Sequence, residues 1–286
     1  MKKPKTYKSA TAFRTALEDR LKRISTEKGE DLQRLRKQVS FDRLLTRLFS
    51  KDDVPWVLKG GYAMELRIQS ARATKDIDLA MRDEKLYSLE VGDRNLALQE
   101  TIQECVSQPS VVDFFDFTIG AAQLDFDAPP EGGTRFPIEA KMDGRTFAKF
   151  RLDIGLGDVW TEPLEELVPR DWLGFAGIAP GTFPAISKEQ QFAEKLHAYS
   201  LPRDGDRQNS RVKDLVDMLL LIDEGMDHDQ VHTAIRATFE CRGTHELPSE
   251  LLPPPAEWEG PYGKLAEECG IEGTLSHAFE TLKAYF

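Results

Sequence analysis

Residues 57–66, VLKGGYAMEL, place a double glycine directly after an apolar run, and residues 75–81, KDIDLAM, set two aspartates one residue apart inside a second run. Both runs are short, apolar and bounded by polar or glycine residues, so 56–59 and 76–81 read as strands. Gly60 and Gly61 then form a turn, and 62–68 a short helix. A diglycine at a strand-to-helix turn lets backbone approach a ligand closely, and a helix start offers N–H groups to phosphate. Asp76 and Asp78, at i and i+2 on a strand, point to one face. Two carboxylates side by side on an otherwise apolar strand are costly unless they are paired or bound to a cation. Mg²⁺ carrying nucleotide phosphates meets that need. Lys59, Arg72 and Lys75 are close enough in sequence to neutralise them instead. The competing structural reading is an edge strand with one wet face and a turn with no ligand.

The rest of the chain bounds the setting. Its 286 residues, 40% hydrophobic and 30% charged, have the composition of a soluble globular protein, with core enough for one large domain or two modest ones. The longest apolar runs, such as MLLLI at 218–222, are too short to span a bilayer, and no secretory signal pattern opens the chain. Three widely separated cysteines, Cys105, Cys241 and Cys269, point to a reducing cytoplasm rather than a disulfide scaffold or a zinc site. Net charge is −11, yet residues 1–38 hold 12 Lys+Arg against 5 Asp+Glu, so they carry +7 and the remainder −18. That basic segment is either an arm that touches a polyanion or the solvated face of a helix.

Ser9 caps a predicted helix with Phe13, Leu17 and Leu21 on one stripe, and 30–49 reads as a second helix that ends in the 52–55 break. Residues 85–107 read as helical. From 113 the period changes to that of strands, and 134–142 and 145–156 flank Asp143-Gly144, a favoured type I′ hairpin turn. Pro-rich and Gly-rich stretches occupy 161–184. Ser187 and Gln190 make a capping box for a helix to about 199, and Asn209 or Ser210 caps another over 211–223. Two or three further helices follow, around the proline-rich 252–258. The expected fold is α+β: helices over 1–50, a mixed β-sheet core over 51–185 and a helical C-terminal domain over 186–286.

A second charged constellation lies in that last part. In AISKEQQFAEKLHAY, 185–199, Phe192, Leu196 and Tyr199 form a core stripe with Glu194 and Lys195 beside it. In NSRVKDLVDMLLLID, 209–223, Asp214 and Asp217 share a helix face at i, i+3. Read alone, these are solvated amphipathic helices with surface ion pairs of about 0.3–0.5 kcal/mol each.

A strand, a Gly-Gly turn, a short helix and a strand bearing D-x-D resemble the nucleotidyltransferase fold of the polymerase-beta superfamily. That superfamily adds a third carboxylate from a later strand. Here AKFRLDIGL, 148–156, offers Asp153, on the side opposite Phe150, Leu152 and Ile154; it reads equally as a metal ligand and as a surface aspartate. Together, LKGGYAMEL, RATKDIDL, FAEKLHAY and SRVKDLVDM resemble the AbiEii/AbiGii (MenT-like) toxin family over about residues 55–225.

The resemblance implies a toxin of a type IV-like toxin–antitoxin or phage-defence pair, with a nucleotidyltransferase core and a helical C-terminal domain that completes the active site. It implies transfer of NMP from an NTP, with pyrimidines favoured, in the presence of Mg²⁺ or Mn²⁺. The acceptor it implies is RNA, above all the 3′ end of tRNA; a cognate antitoxin is the implied protein partner. Asp76 and Asp78 match the metal aspartates. Gly60 and Gly61 match the phosphate turn, where many relatives have Gly-Ser. Thr74 stands where relatives often carry Ser or Thr, and Lys59, Arg72 and Arg211 are nucleotide-binding candidates. Lys195 matches the lysine of an E-K motif, and Asp214 and Asp217 the aspartates of K-D-x-x-D, without settling which is essential. Two rival activities stay open at this point: nucleotidyl transfer to a small molecule or antibiotic, and nucleotide-binding regulation without catalysis. A glycosyltransferase, which also uses D-x-D, is disfavoured by the preceding Gly-Gly turn and the later lysine helix.

Overall fold

The computed structural model describes residues 4–51, 54–107, 113–126, 130–203 and 209–286. Helices α1 (Ala10–Lys28) and α2 (Leu32–Leu48) come first, followed by β1 (Trp56–Lys59), α3 (Gly60–Arg67), β2 (Asp76–Met81), α4 (Glu84–Tyr87) and α5 (Val91–Val106). Strands β3 (Phe115–Ile119), β4 (Leu124–Phe126), β5 (Gly133–Met142), β6 (Arg145–Leu156), β7 (Glu165–Leu167) and β8 (Phe183–Ala185) follow. The chain closes with α6 (Lys188–Ser200), α7 (Val212–Glu224), α8 (His228–Arg242), α9 (Glu259–Cys269) and α10 (Leu275–Tyr285). No helix among the described residues is long and apolar enough to cross a membrane.

The chain divides into two compact units. The first comprises residues 1–58, 75–157 and 166–184; the second comprises 59–74, 158–165 and 185–286.

The first unit carries nearly all of a mixed sheet of order β3-β5-β6-β2-β1-β8-β7, with β4 paired to β5 beside that path. Strands β5 and β6 form the long hairpin that the Asp143-Gly144 turn predicts, and both turn residues take positive φ, 57° and 66°. Strand β2 runs parallel to β6. Ile77, Leu79, Leu152 and Ile154 on one face are fully buried, and α2 packs on that side through Phe41, whose ring lies 4.8 Å from that of Phe150. Helix α2 is further fixed by Arg43 and Arg47, which hold the buried Asp113 carboxylate at 2.6 Å each.

Helix α1 starts at its Ser9 cap and buries Phe13, Leu17 and Leu21 to 1% exposure or less. Arg14 donates to the carbonyls of Met142, Arg145 and Thr146 at the hairpin tip. The N-terminal segment is therefore an integral core helix with a basic outer face, and not a detached arm. The sheet edge at β3 is covered as well: Gln99 and Gln103 of α5 donate to the carbonyls of Ile119 and Phe117, and Gln103 accepts from the Ile119 N–H.

The second unit is a helical body around Phe192, Leu196, Val216, Leu221, Tyr262 and Leu282, which takes in Met64 and Ile68 of the α3 segment.

Four local expectations differ from the structure. Residues 85–107 are two helices, separated at Ser88–Glu90. The Pro- and Gly-rich 161–184 holds β7 and most of β8, each three residues long and too short to show a period. Ser187 accepts from the Gln190 N–H as a cap should, but the Gln190 side chain turns away to Thr238, so the box is half made. Helix α7 is capped by neither Asn209 nor Ser210: its N-cap is Arg211, and Asn209 instead accepts from the Arg211 N–H in a local turn. The helix break expected over 52–55 falls partly on 52–53, outside the described residues.

Candidate active site

Strand alternation and register place the carboxylates of the first unit. Asp76 and Asp78 leave β2 on the face opposite the buried Ile77 and Leu79, and both are half-buried. In the parallel pairing Asp78 lies directly opposite Asp153 of β6, and Asp76 opposite Arg151. In the antiparallel pairing Asp153 in turn lies opposite Arg135 of β5. Arg135, Asp153 and Asp78 thus form a row across three strands on one face. Arg135 grips Asp153 with both prongs, Nε to Oδ1 at 2.8 Å and a terminal nitrogen to Oδ2 at 2.5 Å. That pair raises the guanidinium pKa above its ordinary value.

Burial, and then the neighbouring Asp153 carboxylate, push the Asp76 pKa above its ordinary 3.8. Arg151, Arg135 and Lys37 oppose that rise without reversing it. The donor set suits a divalent ion of the Mg²⁺ type, which takes one or two carboxylates from the protein and completes its shell with water and substrate phosphates. It does not make an all-protein cage: among the described residues no three His, Cys, Asp or Glu side chains are grouped to hold a metal. None of the three cysteines forms a disulfide.

In the second unit, Gly60 opens the turn after β1 with φ 67°, a conformation that favours glycine. Its carbonyl accepts from Gln191 Nε2 at 2.6 Å. Gly61 is required by packing: a Cβ there would stand 2.6 Å from Thr74 Oγ1 and 2.9 Å from Thr74 Cβ. Glu65 of α3 accepts the Thr74 N–H, which ties the 68–74 loop back onto α3. Thr74, a nucleotide-binding candidate by resemblance, thus also explains the second glycine.

Lys59 is committed within the protein. Its ammonium lies 2.5 Å from Asp158 and 3.1 Å from Glu194, and Arg242 reaches Asp158 at 2.9 Å. Burial works against the Lys59 charge, but Asp158 and Glu194 outweigh it and its pKa is raised. Burial likewise opposes ionisation of Asp158, and Lys59 and Arg242 outweigh it, so its pKa is lowered. Glu194 is the glutamate of the E-K motif, whereas Asp158 and Arg242 give no motif in the sequence and are 84 residues apart.

The E-K and K-D-x-x-D motifs meet in one cluster. Lys195, 8% exposed on α6, donates to Asp217 at 2.6 Å and to Asp214 at 3.3 Å, both on α7. Arg72 grips both oxygens of Asp217, Oδ1 at 3.0 Å and Oδ2 at 2.8 Å, and shares Oδ2 with Lys195. Asp217 is 1% exposed, whereas Asp214 sits at the wetter end, where Arg211 reaches it at 3.6 Å. Burial opposes each charge and is outweighed by the partners: the Lys195 and Arg72 pKa values are raised, and that of Asp217 lowered. Arg203 donates to the Ala198 carbonyl, and Arg207 lies outside the described residues.

A mixed sheet that carries in-register aspartates on one face, together with a helical unit that carries a buried lysine, is the architecture of a nucleotidyltransferase. The comparisons bear this out. The family model described as nucleotidyl transferase AbiEii toxin, type IV TA system, matches residues 43–284, and the chain belongs to that family. Among solved structures, the MenT4 nucleotidyltransferase toxin of Mycobacterium tuberculosis is similar with a TM-score of 0.56 at 16% identity, over 93% of this chain and 99% of that one. JHP933 from Helicobacter pylori gives 0.43 at 16% identity, over 88% and 94%. No curated protein sequence matches the chain.

Proposed function

We propose that this toxin transfers a nucleoside monophosphate from an NTP, with pyrimidines favoured by the family resemblance, to an RNA acceptor, the 3′ end of tRNA, and so blocks translation. The observation that carries the reading is the placement of Asp76 and Asp78 on one face of β2 with Asp153 in register beside Asp78. Asp76 and Asp78 would hold Mg²⁺ or Mn²⁺. Such an ion, when bound, neutralises triphosphate charge.

The remaining work falls to the chain's own groups. Arg135 holds and orients Asp153 through its two-pronged grip, so the Asp153 carboxylate faces the cation site whether or not it becomes a ligand. Lys195 supplies a fixed positive charge for phosphate. Its 2.6 Å bond to Asp217 holds it in place, and the longer 3.3 Å bond to Asp214 is the one that a phosphate oxygen replaces. Asp217 is the positioning residue, since it anchors Lys195 and Arg72 together. Asp214, at the wetter end, is the carboxylate available to orient an acceptor hydroxyl. The partners are the NTP, the RNA and a cognate antitoxin.

The test is incubation of the protein with each labelled NTP, Mg²⁺ and total bacterial RNA, followed by gel analysis. Label in a tRNA-sized band supports the reading, and NTP binding without transfer contradicts it.

A small-molecule acceptor is the second reading. The segments of the second unit hold 13 Lys+Arg against 23 Asp+Glu, so they carry −10 of the chain's −11, and a polyanion gains little there. Transfer to an aminated small molecule with none to RNA would select it.

A further inference from the structure

The second unit contains a cavity of about 440 Å³, within the range that holds drug-sized ligands. Its wall is built from the last turn of α7, the C-terminal end of α9 and one face of α10. Leu220, Tyr262, Cys269 and Ala278 line it and are each buried to 6% exposure or less. The Tyr262 hydroxyl is buried and has no hydrogen-bond partner.

The carboxylates of this wall, Asp223 and Glu272, outnumber its one imidazole, His277. A helix C-terminus carries partial negative charge, which basic residues in the last turn normally offset. Neither α7 nor α9 has a basic residue there. Asp223 and Glu272 stand at the same place, on the cavity lining, and neither makes an ion pair or hydrogen bond among the described residues. Residues 223–286 as a whole hold 4 Lys+Arg and 13 Asp+Glu, a balance of −9. An apolar interior closed by two negative helix ends and two unpaired carboxylates is complementary to a ligand that is apolar at one end and cationic at the other.

We infer that this cavity is a binding site for a small organic cation, an amine or guanidinium compound with an apolar body, distinct from the nucleotide-transfer site. The apolar body fills the space between α7, α9 and α10, and the cation meets Asp223 and Glu272. Occupancy bears on the ion cluster next to it: Cys269 on the cavity wall lies close enough to Arg72 and Asp217 to feel their charges, and Arg72 is the partner of Asp217.

The experiment is calorimetric titration of the full chain with three probes that share one ring system: tryptamine, its neutral alcohol analogue and indole-3-propionate. Tryptamine is expected to bind at least about tenfold more tightly than the alcohol, and the anion least, since one good charge-assisted hydrogen bond is worth about a factor of ten. The Asp223→Asn/Glu272→Gln double variant, which alters only exposed positions, should remove that preference. Ala278→Trp, which fills the cavity, should abolish binding of all three, with circular dichroism confirming its fold. No binding of tryptamine, equal binding of the three probes, or an undiminished preference in the double variant overturns the assignment. None of these readouts depends on nucleotidyl transfer.

Discussion

Asp217 joins two cations that lie far apart in sequence: its carboxylate receives Lys195 at 2.6 Å and Arg72 at 2.8 Å, and it is 1% exposed. Replacing it leaves two buried positive charges facing one another. Asp217→Asn is expected to cost about 3–5 kcal/mol of stability, the usual result of breaking a buried pair from one side. Asp214→Asn, at the wetter end, should cost under about 1 kcal/mol while still lowering transfer. Urea denaturation of the two variants checks this, and equal small losses would show that Asp217 does not anchor the cluster. The Asp217 pKa is lowered from 3.8, so its contribution is present above that value and disappears as pH falls through the lower folded value. The Lys195 pKa is raised from 10.5, so its contribution holds below 10.5 and is lost as pH rises through the higher folded value. Between those limits the pair is insensitive to pH.

His197 gives the protein a separate acid limb. It is 3% exposed, its Nδ1 has no hydrogen-bond partner, and burial, with Arg242 close by, pushes its pKa down from 6.5 to about 3. The unfolded chain therefore takes up a proton between pH 6.5 and about 3 that the folded chain refuses. Stability should fall on acidification through this window, with a slope of up to about 1.4 kcal/mol per pH unit from this residue. Replacing the ring with an apolar one, His197→Phe, should flatten the curve between about pH 6 and pH 4. Thermal melts across that range check it, and an unchanged slope would place the acid sensitivity elsewhere.

Gly61→Ala is expected to destabilise the protein by about 1–3 kcal/mol, because the new Cβ overpacks Thr74. The informative partner is Thr74→Gly. Thr74→Ala keeps the Cβ that would stand 2.9 Å away and should rescue only in part, whereas Thr74→Gly removes both clashing atoms. Denaturation midpoints of the double variants decide this. Full rescue by Thr74→Ala would mean that only the Thr74 hydroxyl is in the way.

The basic N-terminal helix is tested by reversing its outer charges, because deleting residues 1–38 would remove the buried Phe13, Leu17 and Leu21 along with them. Lys8, Lys22 and Lys28 are exposed. Replacing them with Glu should leave the fold and NTP binding intact and weaken tRNA binding. The log–log salt slope should fall by roughly 0.7–0.9 for each phosphate that is no longer neutralised. Filter binding at several salt concentrations measures it. A slope identical to wild type would remove this helix from the acceptor site.

What the sequence revealed depended on how far each relationship reached along the chain. The strand–turn–helix–strand around Gly60 and Asp76 was legible because its alternation and glycines are local signals. So was the Asp143-Gly144 hairpin. The third carboxylate was half legible: alternation gave the face of Asp153, but its pairing with Arg135 comes from β5–β6 register. Arg72 was read as a group near a phosphate, and only tertiary structure shows it bound to Asp217, 145 residues away. The Lys59 cluster was invisible for the same reason: Asp158 and Arg242 follow no period and are adjacent only after folding. Strands β7 and β8 escaped because three residues cannot show alternation, and the α7 cap because Asn209 spends its side chain on a turn instead.

In the proposed function, Asp76 and Asp78 hold the metal on which nucleotidyl transfer depends. The most direct measurement is transfer of labelled nucleotide to RNA by wild type, Asp76→Ala and Asp78→Ala across a Mg²⁺ titration, with melting curves alongside. Both side chains leave β2 on the face opposite the buried Ile77 and Leu79, so both variants should melt close to wild type while transfer falls by about a thousandfold or more, the scale expected when a catalytic charge site is removed. Either variant, folded and retaining near wild-type Mg²⁺-dependent transfer, would contradict the account.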